Sequence, residues 1–418
     1  MSAARSKHVN ADVRMRGFVE RTTVEEALAW VDSAVPAFAE LPTEEAGVVD
    51  AATRVLAVDV TSRVDVPAFA RSMMDGFALR GDDTYGASPY NRLPLRILGT
   101  CLPGAPFQRH VAAGEAVRIM TGAPLPTGAD AVLPVEHAEV DGQTLLVTGE
   151  VSQGKHVGQI GEDVRAGDVV ARAGRILRPQ DIGVLSSIGH ARLRVVCRPK
   201  VRILITGNEL LPAGAQPAGC RIVDANGPML AALVARDGGE PLTGSIVPDE
   251  PQAIRNALEE PCDLTIVSGG SSVGQEDYVP HLLAEQGELA VHGVAMRPSS
   301  PTGMGRFGRR LVFLLPGNPV SCLCAYDFFA GRAIRAFGGR AKEWPYRRTK
   351  AVLARKLVST VGRVDYARVT LSGNEAQPLA VSGASILSST TCADGFVIVP
   401  ADSEGYPPGA EVDVFLYQ

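Results

Sequence analysis

Three segments with the glycine-rich, polar composition of ligand-binding loops each follow an apolar run that predicts a β-strand. They are Thr206 to Glu209, Ser268 to Tyr278, and Leu315 to Ser321. Glycine lets backbone N–H groups approach an anion closely, and a helix starting near Pro319 would add unpaired N–H donors. One such turn alone is more often only a tight turn, but three at successive strand ends favour a site for an anionic ligand.

A run of arginines lies just before the last of these strands. Guanidinium groups bind phosphate and other oxyanions, so these side chains predict a cationic edge to the site, although an arginine cluster is often only a solvated loop. The residues are Arg297, Arg306, Arg309 and Arg310.

The elements that would position these loops alternate between strand and helix patterns from about residue 191. This alternation is typical of a parallel α/β sheet, whose ligands bind beyond the carboxyl ends of the strands. Helices are predicted from Asp224 to Gly238 with Asn226 as cap, after the cap Asp249, and from Pro319 to about Gly338. The predicted strands are VRILIT (201–206), GSIVP (244–248), DLTIVS (263–268) and RLVFLL (310–315).

The rest of the chain predicts smaller modules. Val24, Ala27, Leu28 and Val31 follow Thr22 and Thr23 in the pattern of an N-capped amphipathic helix, Asp141-Gly142 predicts a hairpin, and Pro179 leads a short helix. The predicted division is a connector domain at 18–55 and 150–190, a β-rich domain at 56–149, an α/β domain at 191–340 and a C-terminal β domain at 341–418.

Composition and missing motifs exclude several classes of function. A formal net charge of -5 argues against a nucleic-acid partner, and the sequence has no apolar run long enough to span a membrane, so a cytoplasmic protein is expected. Dinucleotide-binding, P-loop and serine-hydrolase motifs and histidine metal spacings are missing. Any metal is expected to be Mg²⁺ held by carboxylates. The seven scattered cysteines predict reduced core thiols; Cys322 and Cys324 would point apart on a helix.

Eight longer segments run in order from residue 67 to residue 400. They are PAFARSMMDGFALR (67–80), RIMTGAPLPTGADAVLPVE (118–136), GEDVRAGD (161–168), ITGNEL (205–210), IVDANGPMLAALV (222–234), SGGSSVGQEDY (268–278), PGNPVS (316–321) and SGASILSSTTCADGFVIVP (382–400). In this order they resemble the molybdopterin molybdenumtransferase family, which comprises MoeA in bacteria and the C-terminal part of gephyrin in animals.

The resemblance implies a multidomain α/β plus β fold. It has a central MogA-like parallel α/β domain, an inserted β-rich domain, an elongated connector and a small C-terminal β-barrel. It also implies an enzyme that inserts molybdate into adenylylated molybdopterin with release of AMP, assisted by Mg²⁺. The implied assembly is a homodimer whose site joins the α/β domain of one subunit to the β-rich domain of the other. Implied handover partners are a molybdopterin adenylyltransferase and cofactor-modifying or apo-molybdoenzyme proteins.

The resemblance also implies roles for individual residues. Asp75, Thr121, Glu162 and Asp277 are implied as catalytic, and Glu209 and Asp277 as metal ligands. The implied substrate-binding residues are Gly207, Asn208, Glu209, Ser268, Gly269, Gly270, Ser272, Gly274, Arg297, Ser300, Pro301, Pro316, Gly317, Asn318, Ser321 and Ser388.

The chain departs from the family pattern at both ends of the implied site. Asn208 stands where the family usually has Asp, and Arg297-Pro298-Ser299-Ser300-Pro301 stands where it usually reads KPGKP. Losing a cation near a dianionic ligand costs about 1–3 kcal/mol of binding free energy. Three hypotheses follow: an active insertase in which arginines compensate for Ser300, a diverged paralogue that binds the pterin nucleotide as carrier, sensor or scaffold without turnover, and an insertase that uses tungstate.

Overall fold

A computed structural model of the chain describes residues 21–269, 278–380 and 383–417. These residues form two compact units: Glu45–Ala52 with Leu56–Arg194 make one, and the described residues before Glu45, Thr53–Val55 and the described residues after Arg194 make the other. The helices are α1 (Val24–Ala34), α2 (Pro179–Ser187), α3 (Asn226–Arg236), α4 (Pro251–Glu259), α5 (Tyr278–Gln286), α6 (Pro319–Ala325), α7 (Gly331–Phe337) and α8 (Ser388–Thr391). Short 3₁₀ turns lie at Phe38–Glu40, Val49–Ala51, Gly81–Thr84 and Val135–His137, and a π-helix at Tyr326–Ala330 joins α6 to α7.

A mixed six-stranded sheet with the order β7-β4-β6-β5-β9-β8 forms the centre of the smaller unit. Alternate residues of β4 pack into different apolar clusters, Phe77 and Leu79 in one and Ala78 in the other, as the two-residue period of a strand requires. The predicted hairpin at Asp141-Gly142 is confirmed, with β8 and β9 antiparallel. The strands up to residue 196 are β1 (Thr43–Gly47), β2 (Val60–Thr61), β3 (Arg71–Ser72), β4 (Gly76–Leu79), β5 (Leu93–Cys101), β6 (Glu115–Ile119), β7 (Ala131–Pro134), β8 (Ala138–Asp141), β9 (Thr144–Val147), β10 (Val157–Gly158), β11 (Val169–Ala171) and β12 (Arg192–Val196).

The α/β part of the larger unit contains a second six-stranded sheet. Its order is β16-β13-β17-β21-β20-β18, and its first four strands are parallel. Ile203 and Ile205 pack into the apolar cluster that includes α3, whereas Leu204 packs with α4 and α5 on the opposite face. The strands of this region are β13 (Lys200–Ile205), β14 (Leu210–Leu211), β15 (Ile222–Val223), β16 (Glu240–Thr243), β17 (Leu264–Ser268), β18 (Glu288–His292), β19 (Met296–Arg297), β20 (Gly303–Phe307) and β21 (Arg310–Leu315).

Five C-terminal strands close into a barrel of the order β24-β25-β22-β28-β26, because β24 also pairs with β26. The parallel pairing of β19 with β24 ties this barrel to the α/β sheet. The barrel and the mixed α/β sheet confirm the predicted fold class. The strands are β22 (Arg347–Leu353), β23 (Leu357–Val358), β24 (Val364–Ser372), β25 (Glu375–Ala380), β26 (Gly395–Val399), β27 (Gly405–Tyr406) and β28 (Glu411–Leu416).

Local signals placed some elements correctly and others wrongly. Thr23 forms a capping box with Glu26 at the start of α1, and Pro179 opens α2, as predicted. The strand predicted at GSIVP is wrong: β16 begins at Glu240, directly after the Gly238-Gly239 turn. Residues 244–248 form a loop in which Val247 makes an isolated parallel bridge to Thr206. The caps predicted at Asn226 and Asp249 are also wrong, since α3 and α4 have Ala225 and Glu250 at their N-cap positions.

All seven cysteines are free thiols, as predicted. Cys220 and Cys392 are exposed, so the expectation of core positions is wrong for these two. In the described part of the chain, no helix is both long and apolar enough to cross a membrane.

Candidate functional site

The carboxyl ends of β13, β17 and β21 lie side by side because these strands are parallel neighbours. The loops that follow them therefore meet around one cavity of about 470 Å³, together with the turn between β15 and α3. We call these four segments the cradle. The cradle consists of residues 206–209, 224–226, 268–269 and 317–319, so the described parts of the three predicted loops meet as predicted.

A second cavity of about 710 Å³ adjoins the first and extends to Thr243 at the end of β16 and to the loop that follows it. The two cavities share Ile205, Leu210 and Asp224 in their linings. The wall of the second cavity is mostly apolar, and its charged side chains are those of Arg221 and Asp224. Together the cavities offer a polar compartment at the strand ends and an apolar compartment beside it.

Asn226 joins three segments of the cradle through its side-chain amide. Its Nδ2 donates to the Ser268 hydroxyl at 2.9 Å and to the Gly317 carbonyl at 2.7 Å. Its Oδ1 is buried and accepts no hydrogen bond within the described residues. A buried acceptor without a donor is costly, so this oxygen indicates the position of a ligand or ion.

Thr206 and Gly269 form the floor of the cradle. Gly269 has a positive φ of 102°, and a Cβ there would collide with the Thr206 carbonyl oxygen, so only glycine fits. The hydroxyl of Thr206 is buried and, in the described ranges, without a hydrogen-bond partner. It is the second polar atom of the cradle that is available to a ligand.

Asn208 is paired with Asp249 across the mouth of the loop. The Asn208 N–H donates to Asp249 Oδ2 at 3.1 Å, and Asn208 Oδ1 accepts from the Asp249 N–H at 3.4 Å. The amide therefore makes a local contact where a charged carboxylate would be expected to face a metal.

The oxygen donors around the cradle fit Mg²⁺. The Glu209 carboxylate lines the cavity and is exposed, and Asp224 lines it while its Oδ1 accepts from the Gly227 N–H at 2.9 Å. Thr206 Oγ1 and Asn226 Oδ1 add two buried, uncharged oxygens to the same lining, and oxygen is the ligand type that Mg²⁺ prefers. No cluster of three or more His, Cys, Asp or Glu side chains that could hold a metal occurs in the described part of the chain.

The segment 297–302, which we call the oxyanion loop, is fixed by contacts within the chain. Arg297 donates through Nε, at 3.1 Å, and through Nη2 to the buried carboxylate of Asp365. Ser299 has a positive φ of 92°, and its hydroxyl donates to the Ser321 carbonyl at 2.6 Å. Ser300 Oγ is buried and has no partner among the described residues.

The other arginines of the predicted cationic edge lie away from the cradle. Arg310 begins β21 and therefore lies at the end of the strand opposite to Leu315, where its guanidinium donates to the Glu260 carbonyl. Arg306 lies 3.7 Å from a carboxylate oxygen of Glu288. The prediction that Arg306, Arg309 and Arg310 join Arg297 at one anion site is wrong, because the antiparallel β20–β21 hairpin places them at the end of β21 opposite to Leu315.

In the smaller unit, Asp75 and Thr121 are brought together. Asp75 Oδ1 accepts from the Thr121 N–H at 2.7 Å and from its hydroxyl at 2.8 Å, and these hydrogen bonds lower the pKa of the carboxyl. Glu162 accepts from Arg71 at 2.8 Å, which lowers the Glu162 pKa. Backbone hydrogen bonds of Ser72 join the Asp75 segment to the Thr121 turn.

The remaining predicted site residues fall into two groups. Ser388 is exposed at the start of α8, Ser321 is buried in the first turn of α6, and Pro316 precedes the cradle residues Gly317 and Asn318. Pro301 lies within the oxyanion loop, between Ser300 and Thr302. Outside the described residues lie Gly270, Ser272, Gly274 and Asp277.

Comparisons with known proteins cover nearly the whole chain. Family models match as "MoeA N-terminal region (domain I and II)" at residues 22–189, "Probable molybdopterin binding domain" at 202–336 and "MoeA C-terminal region (domain IV)" at 350–417. A molybdopterin molybdenumtransferase of Staphylococcus aureus is 32% identical over 371 residues, which are 87% of this chain and 88% of the relative. The chain belongs to the MoeA family.

Solved structures agree with this assignment. The crystal structure of the molybdopterin biosynthesis moeA protein from Pyrococcus horikoshii OT3 superposes with a TM-score of 0.78 at 30% identity, over 95% of this chain and 100% of that one. The molybdenumtransferase of Staphylococcus epidermidis is 30% identical over 87% of this chain and 88% of its own. Membership of the MoeA family makes this chain an enzyme with a role in molybdenum cofactor biosynthesis.

Sequence reasoning missed two polar residues of this MoeA-family site. Asp224 and Asn226 were treated as the beginning of a helix, but Asp224 supplies the capping oxygen to Gly227 and Asn226 is freed to bridge the loops. The signal was present in the spacing Asp-Ala-Asn-Gly-Pro directly after a strand, which offers more polar caps than one helix needs.

Proposed function

We propose that this MoeA-family chain inserts molybdate into adenylylated molybdopterin, releases AMP and so forms the molybdenum cofactor. The observation that carries the proposal is the cradle. Asn226 joins the Ser268 and Gly317 loops, the Thr206 N–H donates to the Ser268 carbonyl, and buried oxygen atoms between them accept from no described residue. Phosphoanhydride cleavage depends on positioned charges and a metal rather than on a covalent nucleophile.

The two adjoining cavities suit a substrate that has a charged part and a flat apolar part. The polar cavity at the strand ends would hold the phosphates, and the mostly apolar cavity beside β16 would hold a flat ring system of the substrate. Glycine at 269 lets the backbone approach the phosphates, and Arg221 supplies a cation at the border. These groups bind and orient the nucleotide.

Glu209 and Asp224, with Thr206 Oγ1 and Asn226 Oδ1, would hold Mg²⁺, and Asp277 remains a further proposed ligand. When bound, the ion would offset negative charge that develops on the phosphates as AMP leaves. The chain's own residues would keep the nucleotide in position at the strand ends.

The oxyanion loop is the proposed molybdate end of the same site. Arg297 is paired with Asp365, and Ser300 presents a buried hydroxyl without a described partner. By the family resemblance we also propose a homodimer in which Asp75, Thr121 and Glu162 of one subunit complete the site of the other. Handover to a cofactor-modifying protein or an apo-molybdoenzyme would follow.

Purified protein mixed with adenylylated molybdopterin, molybdate and Mg²⁺ tests the proposal. We expect AMP release together with a product that activates an apo-molybdoenzyme, and loss of both when Mg²⁺ is removed. Tight binding of the pterin nucleotide without AMP release would favour the carrier, sensor or scaffold alternative. A response to tungstate in place of molybdate would favour the third hypothesis.

A further inference from the structure

The contact between Arg297 and Asp365 joins two parts of the larger unit that are distant in sequence. Strand β19 pairs in parallel with β24, and the register places Arg297 opposite Asp365. The Asp365 side chain has no exposed surface, whereas that of Arg297 is 30% exposed. The pair therefore connects the buried wall of the barrel to the oxyanion loop.

Asp365 is surrounded by more donors than its charge requires. Besides Arg297, Ser359 Oγ donates to it at 2.8 Å, and Arg363 Nε lies 3.3 Å from its Oδ1. A buried carboxylate needs one paired cation, and this one has two. The charges of Arg297, Arg363 and Asp365 therefore sum to +1, whereas those of a simple ion pair sum to zero.

The geometry of the contact decides which part of Arg297 remains available. The bond to Asp365 uses Nε and Nη2, and because the guanidinium is planar and rigid, Nη1 lies on the edge away from the carboxylate. Lysine at this position would offer only a point charge on a flexible stem. A carboxylate at 365 therefore favours arginine at 297.

We propose that Asp365 is a positioning residue for the oxyanion end of the site: it holds the Arg297 guanidinium in one orientation so that its free edge binds the tetrahedral oxyanion substrate. This inference rests on the proposed function for the identity of the oxyanion. It explains why this chain has arginine where the family usually has lysine, because the fork-shaped group bonds Asp365 through two nitrogens and keeps a third, Nη1, for a ligand.

Molybdate binding to the full chain, measured by equilibrium dialysis, tests the proposal independently of turnover. We expect Asp365→Asn to weaken molybdate binding at least about 10-fold, and Ser359→Ala, which keeps all charges, to weaken it about 3-fold. Arg297→Lys should reproduce the Asp365→Asn effect, and the double variant should be no weaker than either single one. Asp413→Asn is the matched control, since Asp413 is an exposed barrel carboxylate 3.6 Å from Arg348.

A second readout separates positioning from a general structural role. In the AMP-release assay, Asp365→Asn should raise the half-saturating molybdate concentration while leaving the KM for the pterin nucleotide within about 2-fold. Unchanged molybdate binding in Ser359→Ala and Arg297→Lys would overturn the inference, even if Asp365→Asn failed to fold. So would a parallel loss of nucleotide and molybdate binding in these variants. If the wild type releases no AMP but binds molybdate in an Asp365-dependent manner, the proposed function fails and the inference stands.

Discussion

The cradle and the oxyanion loop lie in the same unit but differ in whether their polar side chains already have hydrogen-bond partners. In the cradle, Thr206 Oγ1 and Asn226 Oδ1 are buried without partners among the described residues. In the oxyanion loop, Arg297 and Ser299 are already bonded to other parts of the chain. The cradle therefore offers unsatisfied polar atoms to a ligand. The oxyanion loop is instead held in one conformation by its own hydrogen bonds, and Ser300 Oγ is its polar atom without a described partner.

Removing the central amide of the cradle should have the largest effect. Asn226→Ala deletes both hydrogen bonds that join α3 to the Ser268 and Gly317 loops. We expect AMP release to fall on the order of 100-fold, as when a positioned donor is removed from an active site, and the free energy of unfolding to fall by about 1–3 kcal/mol. Steady-state kinetics and denaturant titration measure the two quantities.

Asn256→Ala is the control for this prediction. Asn256 lies on the exposed face of α4, where its Oδ1 accepts from Gln252. Its loss should change neither rate nor stability appreciably. If Asn226→Ala kept the wild-type rate, the cradle would not be the nucleotide site.

The proposed metal function of the cradle predicts the next largest effect. Glu209→Gln replaces a carboxylate by a neutral amide of the same size, so the Mg²⁺ concentration for half-maximal AMP release should rise on the order of 10-fold. The KM for the pterin nucleotide at saturating Mg²⁺ should change less. Glu259→Gln, on exposed α4, is the matched control. An unaltered Mg²⁺ requirement would remove Glu209 from the metal site.

The open position of the oxyanion loop predicts a gain of affinity. Ser300→Lys would restore the cation that the family usually carries there, and a cation near a dianion contributes about 1–3 kcal/mol. We expect the molybdate concentration for half-maximal rate to fall about 10-fold. Ser300→Met, of similar length but uncharged, controls for steric change. A lysine variant with the wild-type requirement would show that position 300 does not touch the oxyanion.

The smallest expected effect is on stability and concerns Ser299 in the oxyanion loop. Ser299 has a positive φ that costs a non-glycine residue about 1–2 kcal/mol, and its hydrogen bond to Ser321 returns about 1 kcal/mol. Ser299→Ala should therefore lower the free energy of unfolding by about 1 kcal/mol. Ser299→Gly, which loses the same bond but relieves the backbone, should be within about 1 kcal/mol of the wild type. Denaturant titration would contradict this account if alanine were no less stable than glycine.

The two regions also differ in how far the sequence predicted them. Glycines and helix starts after apolar strands are local signals. They were sufficient to predict that residues 206–209, 268–269 and 317–319 lie at one site. Asn226 was assigned as a helix cap because cap preference is local, whereas its real partners lie 42 and 91 residues away. No local pattern could show that Asp365, 68 residues from Arg297, accepts hydrogen bonds from that arginine.

Tertiary pairing likewise explains the wrong strand at 244–248. Its apolar residues satisfy a strand pattern, but β16 already occupies the sheet edge beside β13, so Ile246 instead lines the larger cavity. The hairpin carried by β20 and β21 separated Arg306 and Arg310 from the cradle in the same way. Periodicity predicted which segments are buried; only the sheet order decided which of them face the site.

The molybdate dependence of AMP release by the wild-type chain, at saturating adenylylated molybdopterin and Mg²⁺, tests the central claim most directly. If the cradle binds the nucleotide and the oxyanion loop binds molybdate in one site, AMP release should rise with the molybdate concentration and saturate. AMP release that is absent at every molybdate concentration, or that proceeds at the same rate without molybdate, would contradict the account.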